Sequence, residues 1–176
     1  VTECATEISG FGKVREIPAT RDSAYTDEGY LTEFIPPRLR DVALEIYDFC
    51  IVPQTTGYAH ATMDAEVLAK FLMAEIRKGV KVEDYRVWWH SHAFMSAYFS
   101  TIDTGTIDDS SDFLYLVSLV MNHRLKYQAR LDWYAPERDW TNVSLVVRQS
   151  GAETKMREAI RAEIAEKITP IKYYYG

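Results

Sequence analysis

Apolar residues fall in short blocks along this chain, and most blocks have the length of a strand. Tyr85–Trp89 and Phe113–Met121 are almost unbroken apolar runs, as in strands covered on both faces. Residues 126–134 follow the second run closely and predict a hairpin whose turn holds Asn122, His123 and Arg124. Residues 41–52 alternate in part, through Val42, Leu44 and Ile46 and then Phe49 and Ile51, and read as another strand. Residues 5–17 and 29–36 look extended around a polar turn at 20–28, with Pro36-Pro37 stopping the second. Residues 141–147 add a further strand. Residues 53–63, with Gly57, Tyr58 and His60, read as a loop bordering a cleft.

Two segments switch to a helical period. Asp64 is placed to cap a helix running to Lys78 and closed by Gly79. Its Val67, Leu68, Phe71, Leu72 and Ile76 are expected to pack on the sheet, with Met73 in the core. Further on, Ser150 and Glu153 match a capping box, and Met156, Ile160, Ile164 and Ile168 recur every four residues up to Pro170. A short helix is expected near 103–112. The pattern therefore divides the chain into a main domain, 1–149, and a C-terminal amphipathic helix with its tail, 150–176, packing on the domain or on a partner. Strands mingled with helices indicate an α/β or mixed α+β class, a pattern that several three-layer folds share.

Composition narrows the choice. With 176 residues, 47% of them hydrophobic, the chain can bury one core. A net charge of −6 argues against nucleic acid or an anionic membrane as partner. No apolar run approaches a membrane span and no signal-peptide pattern is present, so a cytoplasmic location is expected. Cys4 and Cys50 are too few for a disulfide framework or a cysteine zinc site and read as core thiols.

The chemistry concentrates in His90-Ser91-His92, followed after seven residues by Ser100-Thr101-Ile102-Asp103. Only four histidines occur in the chain, and two of them flank one serine. Two imidazoles and a carboxylate at short range are the ligands a catalytic zinc needs, leaving a fourth position for water, with a serine beside it to donate a hydrogen bond. The competing reading of His-x-His is two residues on one face of a strand, serving only packing. Asp108, Asp109 and Asp112 are also near, but only Asp103 lies three residues after the serine. Phe94, Met95 and Tyr98, between the two halves of the motif, either wall water off from the site or touch an extended substrate. His60 reads as a loop residue and His123 as a turn residue.

This spacing resembles the signature of the JAMM (JAB/MPN-type) zinc metalloproteases, in particular a prokaryotic and phage-type branch, over roughly residues 5–135. The resemblance implies a single JAB/MPN-like domain with a mixed β-sheet flanked by helices and a cytidine-deaminase-like architecture. It implies one catalytic Zn²⁺ on His90, His92 and Asp103, and an upstream glutamate as general base. Glu7, in Glu7-Ile8-Ser9-Gly10-Phe11-Gly12, matches that glutamate best; Glu3 and Glu16 are its rivals. Ser100 would stabilise the oxyanion. The implied activity is an isopeptidase or peptidase that releases a ubiquitin-like modifier from a conjugate or precursor. A catalytically inactive scaffold of the same family is the alternative. A zinc deaminase would need Cys-x-x-Cys and His-x-Glu, and neither occurs. No second set of zinc ligands follows Asp103, so recognition of one ubiquitin linkage is not expected.

Overall fold

A computed structural model describes residues 6–18, 39, 42–57, 61–146 and 153–171. The expected strand at 29–36, the 20–28 turn, Glu3, Cys4, Tyr58, His60, Ser150 and the 172–176 tail lie outside the described residues.

The main sheet is mixed and has six strands. They are β1 (Ser9–Pro18), β2 (Val42–Ile51), β5 (Val87–Ser91), β6 (Tyr115–Met121), β7 (Tyr127–Trp133) and β8 (Asp139–Asn142), in the order β2-β1-β5-β6-β7-β8. Only β5 and β6 run parallel; the other neighbours are antiparallel. A parallel pair requires a crossover. Here the crossover contains the second half of the motif and α2 (Thr101–Asp108). A second sheet orders β4 (Ala61–Thr62), β3 (Gln54–Thr56) and β9 (Ile168–Pro170), with β9 parallel to β3. The remaining helices are α1 (Ala65–Arg77) and α3 (Glu153–Lys167).

Alternation sorts the main sheet into two faces. Val14, Val87, Tyr115, Val117, Leu131 and Trp133 pack together on one, and Val42, Leu44 and Ile46 lean on them. Trp88, Leu116 and Ile107 pack on the other, beside Phe11, Phe99 and Tyr134. The continuous apolar runs of β5 and β6 are explained by their central place with both faces covered. Gly10 is required where β1 crosses between β2 and β5: a Cβ there would lie 2.0 Å from the Cys50 carbonyl oxygen.

Several expectations need correction. The loop expected at 53–63 contains β3 and β4. The strand expected at 141–147 is β8, ending at Asn142. The C-terminal helix does not simply stop at Pro170; it passes directly into β9, where Pro170 sits in an edge strand and needs no donor for the ladder. The α1 helix is capped as expected, by Asp64 accepting from Glu66 N and Val67 N, and Gly79 follows with φ +86°. However, α1 buries no residue fully, and Met73 is 53% exposed rather than in the core. At about 100° per residue Met73 lies on the opposite side from Phe71, which packs against Tyr85. Along α3, Met156 is exposed too.

A candidate metal centre at the end of β5

The site begins with strand geometry. β5 runs further than the apolar pattern suggested and includes His90 and Ser91, while His92 closes the ladder through its N–H to the Met121 carbonyl (2.7 Å). Residues two apart share a face, so both imidazoles point to the Trp88 side. Trp88 stacks on His90 with ring centroids 4.8 Å apart, and Phe99 and Tyr98 meet His90 and His92 edge-on. Both histidines are buried.

The carboxylate arrives from α2. Ser100 is the N-cap of that helix, and Asp103 is the third residue of a capping box. The Asp103 N–H donates to Ser100 Oγ (3.2 Å), and Ser100 N–H donates to Asp103 Oδ2 (2.7 Å). The same interaction that starts the helix thus aims Asp103 at the histidines. Its Oδ1 lies 3.4 Å from His90 Nε2, and its Oδ2 lies 3.9 Å from His92 Nε2. The two Nε2 atoms are 3.2 Å apart. Burial pushes the Asp103 carboxyl up, but the hydrogen bond and charge of His90 and the contacts from Ser100 outweigh it and bring it down to about 2. At neutral pH it is a carboxylate.

These distances suit a metal ion. Tetrahedral zinc with bonds of about 2.0–2.1 Å separates its ligand atoms by roughly 3.3 Å. His90, His92 and Asp103 form a group that could hold one ion, with all donor atoms within 4.8 Å of one another. Asp108 is engaged elsewhere, in an ion pair with Arg138. His92 is in the tautomer a ligand needs. Its Nδ1 lies 2.8 Å from the Ser96 carbonyl oxygen, which has no proton to give, so Nδ1 carries the hydrogen and Nε2 an open lone pair. On His90, Nδ1 is buried without a hydrogen-bond partner among the described residues, as is Ser118 Oγ on the neighbouring strand.

Glu7 is buried as well. In the β1–β5 register Ser9 faces His90. One step past the end of β1, Ile8 N–H donates to Ser91 Oγ (2.9 Å) while Ser91 N–H donates to Ile8 O (2.8 Å). Continuing that register one more step would set Glu7 opposite His92, on the face the histidines share. The segment is held from its other side by Gln54. Its amide accepts from Ser9 N–H (2.8 Å) and donates to Ser9 O (2.6 Å), while Glu7 N–H reaches Gly57 O (3.2 Å). Of the rival glutamates, Glu16 lies at the far end of β1 beside Arg86.

Three features escaped the sequence reading. Ser91 staples the Glu7 segment to β5; its only signal was a polar residue between two candidate ligands. Asn122 ties the turn after β6 to the loop after His92. Arg130 and Asp132 form a buried, two-pronged ion pair on β7, with Arg130 over the rings of Phe99 and Trp140. Cys50 is free, and burial raises its thiol, which leaves it a poor nucleophile. Phe94 and Tyr98 are about half exposed, whereas Phe99 packs inward. Among the described residues no helix is long and apolar enough to cross a membrane.

Compared with known proteins, the chain matches no family model, and no curated sequence is significantly similar to it.

Proposed function

We propose that the chain is a zinc-dependent peptidase or isopeptidase of JAMM type, with His90, His92 and Asp103 as metal ligands, Glu7 as general base and Ser100 as oxyanion donor. The observation that carries this reading is the convergence of two imidazole Nε2 atoms and one ionised carboxylate within 4.8 Å of one another, with Glu7 buried on the segment that leads into β1. Zinc bound there supplies Lewis acidity, which acidifies water and polarises a carbonyl.

The chain's own groups do the rest. Glu7 takes the proton of the attacking water as that water adds to an amide carbon. The Ser100 hydroxyl, which accepts from Asp103 N–H, donates its proton to the developing oxyanion. Glu7 then delivers its proton to the amine as the C–N bond breaks, releasing acid and amine without an acyl-enzyme. Trp88 and Phe99 line His90 and shield it from water, while half-exposed Tyr98 meets the edge of His92. A ubiquitin-like modifier joined through its C-terminal amide, or a peptide of similar chemistry, is the proposed substrate.

The test pairs metal analysis with Glu7→Gln. The purified protein should hold about one zinc, lost on His90→Ala, and should release a fluorescent amine from the C-terminus of a ubiquitin-like modifier or a peptide. Glu7→Gln should keep the zinc and lose activity by a factor of at least about 10². Full activity in Glu7→Gln would remove Glu7 from the mechanism. Zinc binding with no hydrolysis would favour an inactive scaffold. Absence of zinc after reconstitution would end the metallopeptidase reading.

A further inference from the structure

His92 can offer Nε2 to a metal only while its proton stays on Nδ1, and the Ser96 carbonyl keeps it there. That carbonyl belongs to an irregular loop with no ladder of its own, so something else must fix it. The ties come from the turn between β6 and β7. His123 donates to the Ala93 carbonyl through its backbone N–H (3.3 Å), and its ring Nδ1 lies against the same oxygen. Asn122 Nδ2 donates to the Met95 carbonyl (3.0 Å), next in the chain to Ser96. Asn122 is only 8% exposed, and the orientation of its amide is fixed. Its Oδ1 accepts from Arg124 N–H (3.0 Å) and Lys126 N–H (3.1 Å), which leaves Nδ2 facing Met95.

We infer that Asn122 is a positioning residue of the metal centre: by holding Met95 it sets the Ser96 carbonyl, and through it the tautomer and aim of His92. The inference rests on the metal-site reading above. The side-chain hydrogen bonds of Asn122 go to Met95, Arg124 and Lys126, and none goes to a candidate ligand among the described residues. Closing the turn requires only its oxygen, so the Nδ2–Met95 bond is an additional function of the side chain. Groups one step removed from the ligands, as the Ser96 carbonyl is here, set ligand orientation and metal affinity, and Asn122 acts on that group.

Asn122→Asp separates the two roles. It keeps acceptors for Arg124 N–H and Lys126 N–H but turns an oxygen towards the Met95 oxygen. Two readouts are needed. One is zinc affinity, by competition with a chromophoric chelator. The other is the protonation pattern of the His92 ring nitrogens in the metal-free protein, from long-range ¹H–¹⁵N correlation at a pH where imidazoles are neutral, assigned against His92→Ala. We expect wild type to show His92 protonated on Nδ1. Asn122→Asp should mix the tautomers and bind zinc at least about tenfold more weakly. Unchanged affinity together with an unchanged tautomer would overturn the inference and leave Asn122 as a turn residue. Should wild type bind no zinc, the metal reading fails, and the tautomer comparison still decides the role of Asn122. Should Asn122→Asp not fold, Asn122→Ser is read in the same way, since it retains a short acceptor for the turn and cannot reach Met95.

Discussion

Asp103 does two jobs with one carboxylate, capping α2 and facing His90, and its acidity reports both. Its folded pKa of about 2 lies below the unfolded value of about 3.9. A depressed carboxyl contributes stability that is present above the unfolded value and is lost as pH falls through the folded one. In metal-free protein, Asp103→Asn should therefore be less stable than wild type above about pH 4. The gap from wild type, read by urea unfolding, should close between about pH 4 and pH 2; a gap that ignored pH would disprove the assignment. At this scale the sequence was informative about donors and silent about supports. His90, His92, Ser100 and Asp103 stand within fourteen consecutive positions, so their spacing marked them as candidates. Ser91 and Asn122 act through Ile8 and Met95, 83 and 27 positions away, and no local pattern encodes contacts so distant in sequence.

Among elements, those with long patterns were legible. The apolar runs of β5 and β6, the hairpin to β7 and the Asp64-capped α1 all stand near their expected places. β3, β4 and β9 were not, because strands of two or three residues have no period to read. The sequence also showed which side of α1 is apolar without showing how little would cover it. The pairing of β9 with β3 brings α3 against the main sheet, where Glu163 Oε1 accepts from the buried Ile51 N–H (2.9 Å). Glu163→Ala leaves that donor without its partner and should cost about 1–2 kcal/mol in urea unfolding. Glu163→Gln keeps an acceptor and should recover most of the loss. If Ala and Gln behave alike, the bond contributes nothing to docking α3.

For the whole molecule, a ligand that binds only the folded state stabilises it. Zinc at a hundred times its dissociation constant should add about 2.7 kcal/mol, raising Tm by roughly 5–10 °C for a chain of this size. Chelator should reverse the rise, and His92→Ala should abolish it; an equal rise in that variant would place the bound metal elsewhere. The connectivity also implies an order of events. Bringing His90 to Asp103 closes a loop of thirteen residues, whereas docking Ile8 on Ser91 closes one of 83. The longer closure costs about 1.6 kcal/mol more in chain entropy. As the chain folds, the ligand cluster is thus the cheaper half to assemble, and Glu7 the costlier. On the proposed reading, a metal would be captured before Glu7, its proposed proton acceptor, is seated, and the centre would be loaded first and armed last.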